Sequence, residues 1–371
     1  CVNPHLFHMI QGGHYEPWRN RPSSQYAYQR IPTIADHLHY PGKAWEKSRG
    51  GTPETLAMGG GHAHCGTLVY LGDQFPEQYR NTVFMCNVHG KRINNDLLER
   101  QGSGYVARHG LDFALSADPW FMGVTLKTGP GGSLYVSDWS DTGECHTYKP
   151  NRKSGRIFNI SYGAAKPTAP LDLSKLSDAE LVARQLHRND WHVQHARRLL
   201  QERAAQRDWQ GAAVHAELRK HLASDISAPQ RLRVLWALHV TGGLDAAALT
   251  ELLNDKNEYV RAWAIQLLCE TEVPAAVVQA KFVTLAEQDP SPVVRLALAS
   301  ALQRLPLADR WAIVNPLIGH EADATDANLP LMLWYAIEPL VKGDKARALQ
   351  LIGQSKLPLV RQFIARRAVE K

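Results

Sequence analysis

The chain of 371 residues is poor in the features that most quickly assign a function. No stretch approaches the ~18 consecutive apolar residues of a membrane span. The N-terminus lacks the basic-then-apolar order of a signal peptide. Only five cysteines occur, at 1, 65, 86, 145 and 269, and no two of them form C-x-x-C. That spacing argues against a zinc ribbon, a thioredoxin-type motif and standard haem attachment. Cys65 with Cys145 is the first disulfide to test, since both lie beside histidines in the β-rich half. Cys1 reads as an interior residue exposed by truncation, in preference to a lipidated first residue. The formal net charge of +6 is spread among interspersed Lys, Arg, Asp and Glu, so no basic patch points to nucleic acid.

What is present is ordinary globular usage, 44% hydrophobic and 21% charged, in a length that predicts two domains. From Leu6 to about Tyr162, short apolar runs are bounded by Gly, Pro, Asn and Asp, a pattern of strands and tight turns. The spacing predicts strands at Leu6 to Ile10, Thr67 to Leu71, Thr82 to Val88, Arg92 to Leu98, Gly123 to Leu126, Leu134 to Asp138 and Arg156 to Ser161. The clearest unit runs from Val124 through the turn Gly129-Pro130-Gly131-Gly132 to Leu134 and Val136, which alternate toward one face. It reads as one blade of a β-propeller.

After Leu171 the apolar period becomes 3.6 and strand signals nearly vanish. Val260-Arg261-Ala262 and Val294-Arg295-Leu296 lie 34 residues apart, and Val360-Arg361 falls 66 further on. Weaker copies near Trp191, Gln230 and Pro330 complete about six helical pairs. A period in the thirties is that of a HEAT- or armadillo-like solenoid, in which one pair cannot bury both apolar faces alone. Arg261, Arg295 and Arg361 recur in register, which predicts pairing with acids of neighbouring repeats. The division expected is residues 1–163 as the closing part of a propeller, 164–172 as a linker carrying Pro167 and Pro170, and 173–371 as the solenoid. A propeller needs roughly four to eight blades, whereas only two to three fit here, so upstream blades are expected elsewhere.

Gly59-Gly60-Gly61-His62-Ala63-His64-Cys65-Gly66, the run from Tyr70 to Arg80, Asn87-Val88-His89-Gly90 and Gly155-Arg156-Ile157-Phe158 together resemble the PVC-type haem-binding proteins, also called membrane-bound dehydrogenases. That resemblance implies a glucose/sorbosone dehydrogenase-like propeller followed by HEAT repeats, in a periplasmic or otherwise extracytoplasmic, membrane-associated oxidoreductase. A cytochrome c domain or another redox protein would be its electron-transfer partner, and a carbohydrate or small alcohol its substrate. The turn at Gly129 departs from the family's Gly-Pro-Asp-Gly. No haem c is attached through C-x-x-C-H, because Thr142 stands where the first cysteine of Thr142-Gly143-Glu144-Cys145-His146 would be.

Two histidines two apart on a strand share a face, so His62 and His64 are the leading candidates for a general base or a metal pair. Asp138, at a strand end, is the third catalytic candidate, positioned to hold a cation or orient a histidine. The metal set is His62, His64, His89, Asp141, Cys145 and His146, and the cofactor expected is a divalent metal such as Ca²⁺ or a quinone. His109 is a lesser candidate on the same face. His192 and His195 share a helix face that reads as solvated and basic. The competing function is a non-catalytic propeller and HEAT scaffold that binds proteins or polysaccharide.

Overall fold

The computed structural model describes residues 6–16, 24–35, 59–60, 63–140, 153–163 and 171–370. Eight strands come first. β1 (His64–Val69), β2 (Val83–Asn87), β3 (Arg92–Gln101) and β4 (Gly104–His109) form an antiparallel sheet in chain order, with β5 (Ala114–Leu115) also paired to β3. β6 (Gly123–Thr128), β7 (Leu134–Asp138) and β8 (Arg156–Ile160) form a second antiparallel sheet. Neither sheet closes on itself among the described residues. Six of the seven predicted strands are present, and β4 and β5 add to them.

The sheets pack face to face, β1 and β2 against β6. Tyr70, Phe84, Cys86, Ile93, Leu126, Leu134 and Val136 fill the space between them. Gly66 makes the close approach, since its φ is +65° and a Cβ there would stand 2.6 Å from the Val124 carbonyl. The β6–β7 turn also requires glycine, at Gly132 with φ +80°. Tyr70 reaches it by donating its hydroxyl to the Gly132 carbonyl at 2.7 Å.

Twelve helices follow among the described residues: α1 (Asp178–Ala183), α2 (Asp190–Ala204), α3 (Ala212–Ala223), α4 (Ala228–Val240), α5 (Ala246–Leu252), α6 (Glu258–Leu268), α7 (Ala276–Gln288), α8 (Pro292–Leu302), α9 (Leu307–Leu317), α10 (Leu329–Gly343), α11 (Lys345–Gln354) and α12 (Pro358–Val369). The change of period after Leu171 is thus a change from sheet to helical repeats. Side-chain caps mark the repeat starts. Asn257 accepts from the first amides of α6, and Ser291 does the same for α8.

The in-register arginines behave alike at two of their three positions. Arg261 binds Asp289 through two hydrogen bonds of 2.7 and 2.8 Å, and Arg295 binds Asp323 through two of 2.6 Å. Each arginine thus bridges forward to an acid 28 residues on, tying one repeat to the next. Arg361 departs from the expectation: it is exposed and makes no ion pair among the described residues. Arg367 on the inner side of the same helix pairs with Glu338 instead, at 2.8 Å.

Leu6 to Ile10 is not a strand. Residues 6–16 and 24–35, joined by a bridge between Tyr15 and Ile31, run as an extended strap over the helices. Ala27 and Ile31 enter the helical core. Tyr28 stacks on Trp334 at 5.4 Å, Trp334 donates its indole N–H to the Tyr26 carbonyl, and Tyr335 donates to the Gln29 carbonyl. An apolar run of five residues carries no period long enough to distinguish these outcomes, and here helices supply its cover.

Several contacts fasten the two parts, two of them at turns of the sheets. Asn189 donates to the carbonyls of Gly129 and Pro130 at 3.0 and 3.1 Å, so the β6–β7 turn docks on the start of α2. The tip of the β3–β4 hairpin docks further along, where Ser103 donates its amide and its hydroxyl to Asp326, both at 2.7 Å. His192 belongs to the first joint, buried with Nε2 3.1 Å from the Pro130 carbonyl, which corrects its reading as part of a solvated basic face. His195 stacks on Trp191 at 4.1 Å.

Candidate functional site

Arg92, Asn94 and Asp96 alternate along β3, so their side chains leave one face of the sheet. All three are buried, on the face opposite the apolar core that Ile93 joins. Buried polar groups are costly unless they are bonded, so a strand face of this kind marks either a site or a closed network. Its neighbours extend the layer. His64 in β1 stands opposite Asn87 in β2, Asn87 opposite Arg92, and Asp96 opposite His109 in β4.

His109 lies between two carboxylates, with Nδ1 3.1 Å from Asp96 and Nε2 3.4 Å from Asp112. Asp112 also accepts from Arg92 at 3.0 Å. Burial opposes a charged imidazole, but the hydrogen bonds and charges of Asp112 and Asp96 outweigh it and raise the His109 pKa to about 9. His109 is therefore an imidazolium at neutral pH.

Gly59 and Gly60 cover this layer. Asn94 donates to the Gly59 carbonyl at 2.7 Å, and Asn87 donates to the Gly60 carbonyl at 3.0 Å; Arg92 also donates to Gly60. Gly59 has φ +62°, and a Cβ would fall 2.7 Å from His109 Nδ1. Gly59 and Gly60 bring their backbone onto the protein's own polar layer. His64 Nε2 is 3.0 Å from the same Gly59 carbonyl. A carbonyl only accepts, so Nε2 carries a proton in this contact.

Of the other expected residues, only His89 and Asp138 are among those described. His62, Asp141, Cys145 and His146 lie outside the described residues. His89 is buried in the turn between β2 and β3. Among the described residues no group of three or more His, Cys, Asp or Glu side chains could hold a metal ion, so His64 and His89 do not by themselves fit one. Asp138 is bound up in its turn: one oxygen accepts from the amides of Met122 and Ser140 at 2.7 and 2.9 Å, and the other accepts from Arg156 at 2.8 and 2.6 Å. With both oxygens accepting two hydrogen bonds each, Asp138 anchors β7 to β8. Arg92, Asn94, Asp96 and Asp112 were missed, although the polar alternation at 92, 94 and 96 was a readable signal.

His109 makes the network pH dependent. Its pKa is higher in the folded chain than the ordinary 6.5, so its contribution is fully present below about 6.5 and is lost as pH rises toward about 9. Denaturation midpoints should fall over that window, and the part of the fall due to His109 should vanish in His109→Gln. Parallel curves for the two proteins would contradict the assignment.

A sheet-rich part carrying a buried His/Asp/Arg layer, followed by a helical repeat array, is the class of protein these observations define. A family profile described as a domain of unknown function, DUF7133, matches residues 18–160. No curated protein matches the chain. Among solved structures, a designed armadillo repeat protein, YIII(Dq)4CqI, aligns with 14% identity over 52% of this chain and 98% of its own, at a TM-score of 0.28. That score is too low for the likeness to bear on the fold.

No helix among the described residues is long and apolar enough to cross a membrane.

Proposed function

We propose that the chain is part of an extracytoplasmic oxidoreductase-like protein of the sugar- or alcohol-dehydrogenase type. In this reading the two sheets are neighbouring blades of a propeller, and the helical repeats dock a redox partner such as a cytochrome c domain. The observation that carries it is the gathering of His64, Asp96, His109 and Asp112 at one sheet face, a convergence of titratable groups typical of sites that move protons. His64, oriented by the Gly59 carbonyl, takes the proton of a substrate hydroxyl, and the His109 imidazolium and Arg92 stabilise the resulting negative charge. The residues described do not fit a metal, and no step is assigned to one.

Open sheet edges support the propeller part of the reading. Among the described residues β8 is an edge strand with Ile157 77% exposed, and Leu115 in β5 is 69% exposed. Between them lies an apolar cleft of about 220 Å³ lined by Ile93, Leu115, Phe121, Phe158 and Ile160. A further blade would cover these groups.

A second reading, a non-catalytic scaffold, is favoured by the contacts that tie Arg92 and His109 to Asp112 and His109 to Asp96 within the protein itself. Dye-linked oxidation of a panel of sugars and small alcohols by the full-length protein separates the two. Turnover that falls about a hundredfold or more in His64→Gln, at unchanged melting temperature, supports the enzyme. Absence of turnover with every acceptor dye, with partner pull-down unaffected by the substitution, supports the scaffold.

A further inference from the structure

Cys65 in β1 and Cys86 in β2 are directly opposed in the antiparallel ladder. Such partners project to the same face with Cα atoms about 4.5–5.5 Å apart, inside the roughly 4.4–6.8 Å that a disulfide spans. Both are free thiols. Both also meet one point on the second sheet: Cys65 Sγ is 3.7 Å from the Gly123 carbonyl oxygen, and a Cβ on Gly123 would come within 2.9 Å of Cys86 Sγ. The missing side chain at Gly123 leaves the sulfurs room to turn toward each other. Cys65 is partly exposed and Cys86 fully buried, so a reagent reaches the first before the second.

We infer that Cys65 and Cys86 form a site of reversible covalent modification, closing to a cross-strand disulfide on reaction with a small disulfide oxidant such as oxidised glutathione. The Cys65 thiol gives its proton to solvent, and its thiolate attacks one sulfur of the oxidant, breaking that S–S bond and releasing one glutathione thiolate, which is protonated. Cys86 then loses its proton, and its thiolate attacks the Cys65 sulfur of the mixed disulfide, expelling the second glutathione. Two protein thiols are oxidised and one oxidant disulfide is reduced to two thiols, with no net proton change.

Burial pushes the Cys65 thiol up to about 11 and raises Cys86 as well. Closure is therefore slow at neutral pH, and its rate rises about tenfold per pH unit below that value. The bond would staple β1, which carries His64, to β2 on the face opposite the polar layer. It would also exclude the Cys65 to Cys145 pairing expected from the sequence.

The test is incubation of the folded, full-length protein with oxidised glutathione at pH 8.5, blocking of remaining thiols with N-ethylmaleimide, and peptide mapping by mass spectrometry without reduction. A Cys65 peptide joined to a Cys86 peptide, two hydrogen atoms lighter than the reduced pair and separated by dithiothreitol, is the expected result. Cys86→Ala should stop at the mixed disulfide between Cys65 and glutathione. Complete alkylation of both cysteines after prolonged oxidation, or Cys65 joined to Cys145, overturns the inference.

Discussion

Arg295→Ala is expected to destabilise the protein by about 3–5 kcal/mol, because it leaves Asp323 buried and unpaired. The side chains are 6% and 4% exposed, and the arginine binds the carboxylate through two hydrogen bonds of 2.6 Å while also donating to the Asp289 carbonyl at 2.9 Å. Its removal therefore uncouples two repeats at once, the one that bears Asp289 and the one that bears Asp323. A helical array is held by such nearest-neighbour contacts, so the loss should appear as partial melting of the helices from α8 onward before the rest. Denaturant titration followed by circular dichroism measures the size, and hydrogen exchange measures the location. Arg198→Ala supplies the comparison, since the Arg198–Glu202 pair is exposed and its loss should change stability by less than about 0.5 kcal/mol. Equal effects for the two variants would remove the ladder from any account of this fold.

Trp334→Ala should cost about 3–5 kcal/mol as well, and for a different reason. Trp334 is among the largest fully buried side chains, packed against Phe363 and Tyr28, and its indole donates to the Tyr26 carbonyl at 2.8 Å. The substitution opens a cavity and at the same time releases the strap from α10. Limited proteolysis should then cut within 24–35 far sooner than in the unaltered protein. Trp334→Phe retains most of the packing but not the indole donor, so it should show early cleavage with a smaller loss of stability. A strap as resistant in Trp334→Ala as before would mean that Tyr335, Arg366 and Arg367 hold it without the indole.

Much of the architecture was legible because it is written in short-range period. Leu134 to Asp138 was placed to the residue, and β2, β3, β6 and β8 within a few residues, since alternation and turn residues act over neighbours. The step of 34 from Val260 to Val294 located the repeat, and Asp289 and Asp323, also 34 apart, are the acids that the arginines required. β4 escaped because Tyr105 to His109 mixes polar and apolar residues, and its ladder with β3 is needed to define it. Leu6 to Ile10 was misread because a brief apolar run says that it will be covered but not by what.

The histidines separate along the same line. His64 stood out in the glycine-rich string as a candidate, and His109 was ranked low because turn histidines are usually structural. What surrounds His109 was not legible: Asp96, Asp112 and Gly59 reach it from three different places in the chain. From the residues alone follow the two kinds of secondary structure, the point where one gives way to the other, and the repeat with its arginines, because each is set by neighbours within a turn or a strand pair. Which polar groups are buried together, which cysteines face each other and where the strap lies depend on contacts between segments tens to hundreds of residues apart. Those contacts exist only once the sheets have stacked and the helices have closed over the N-terminal segment.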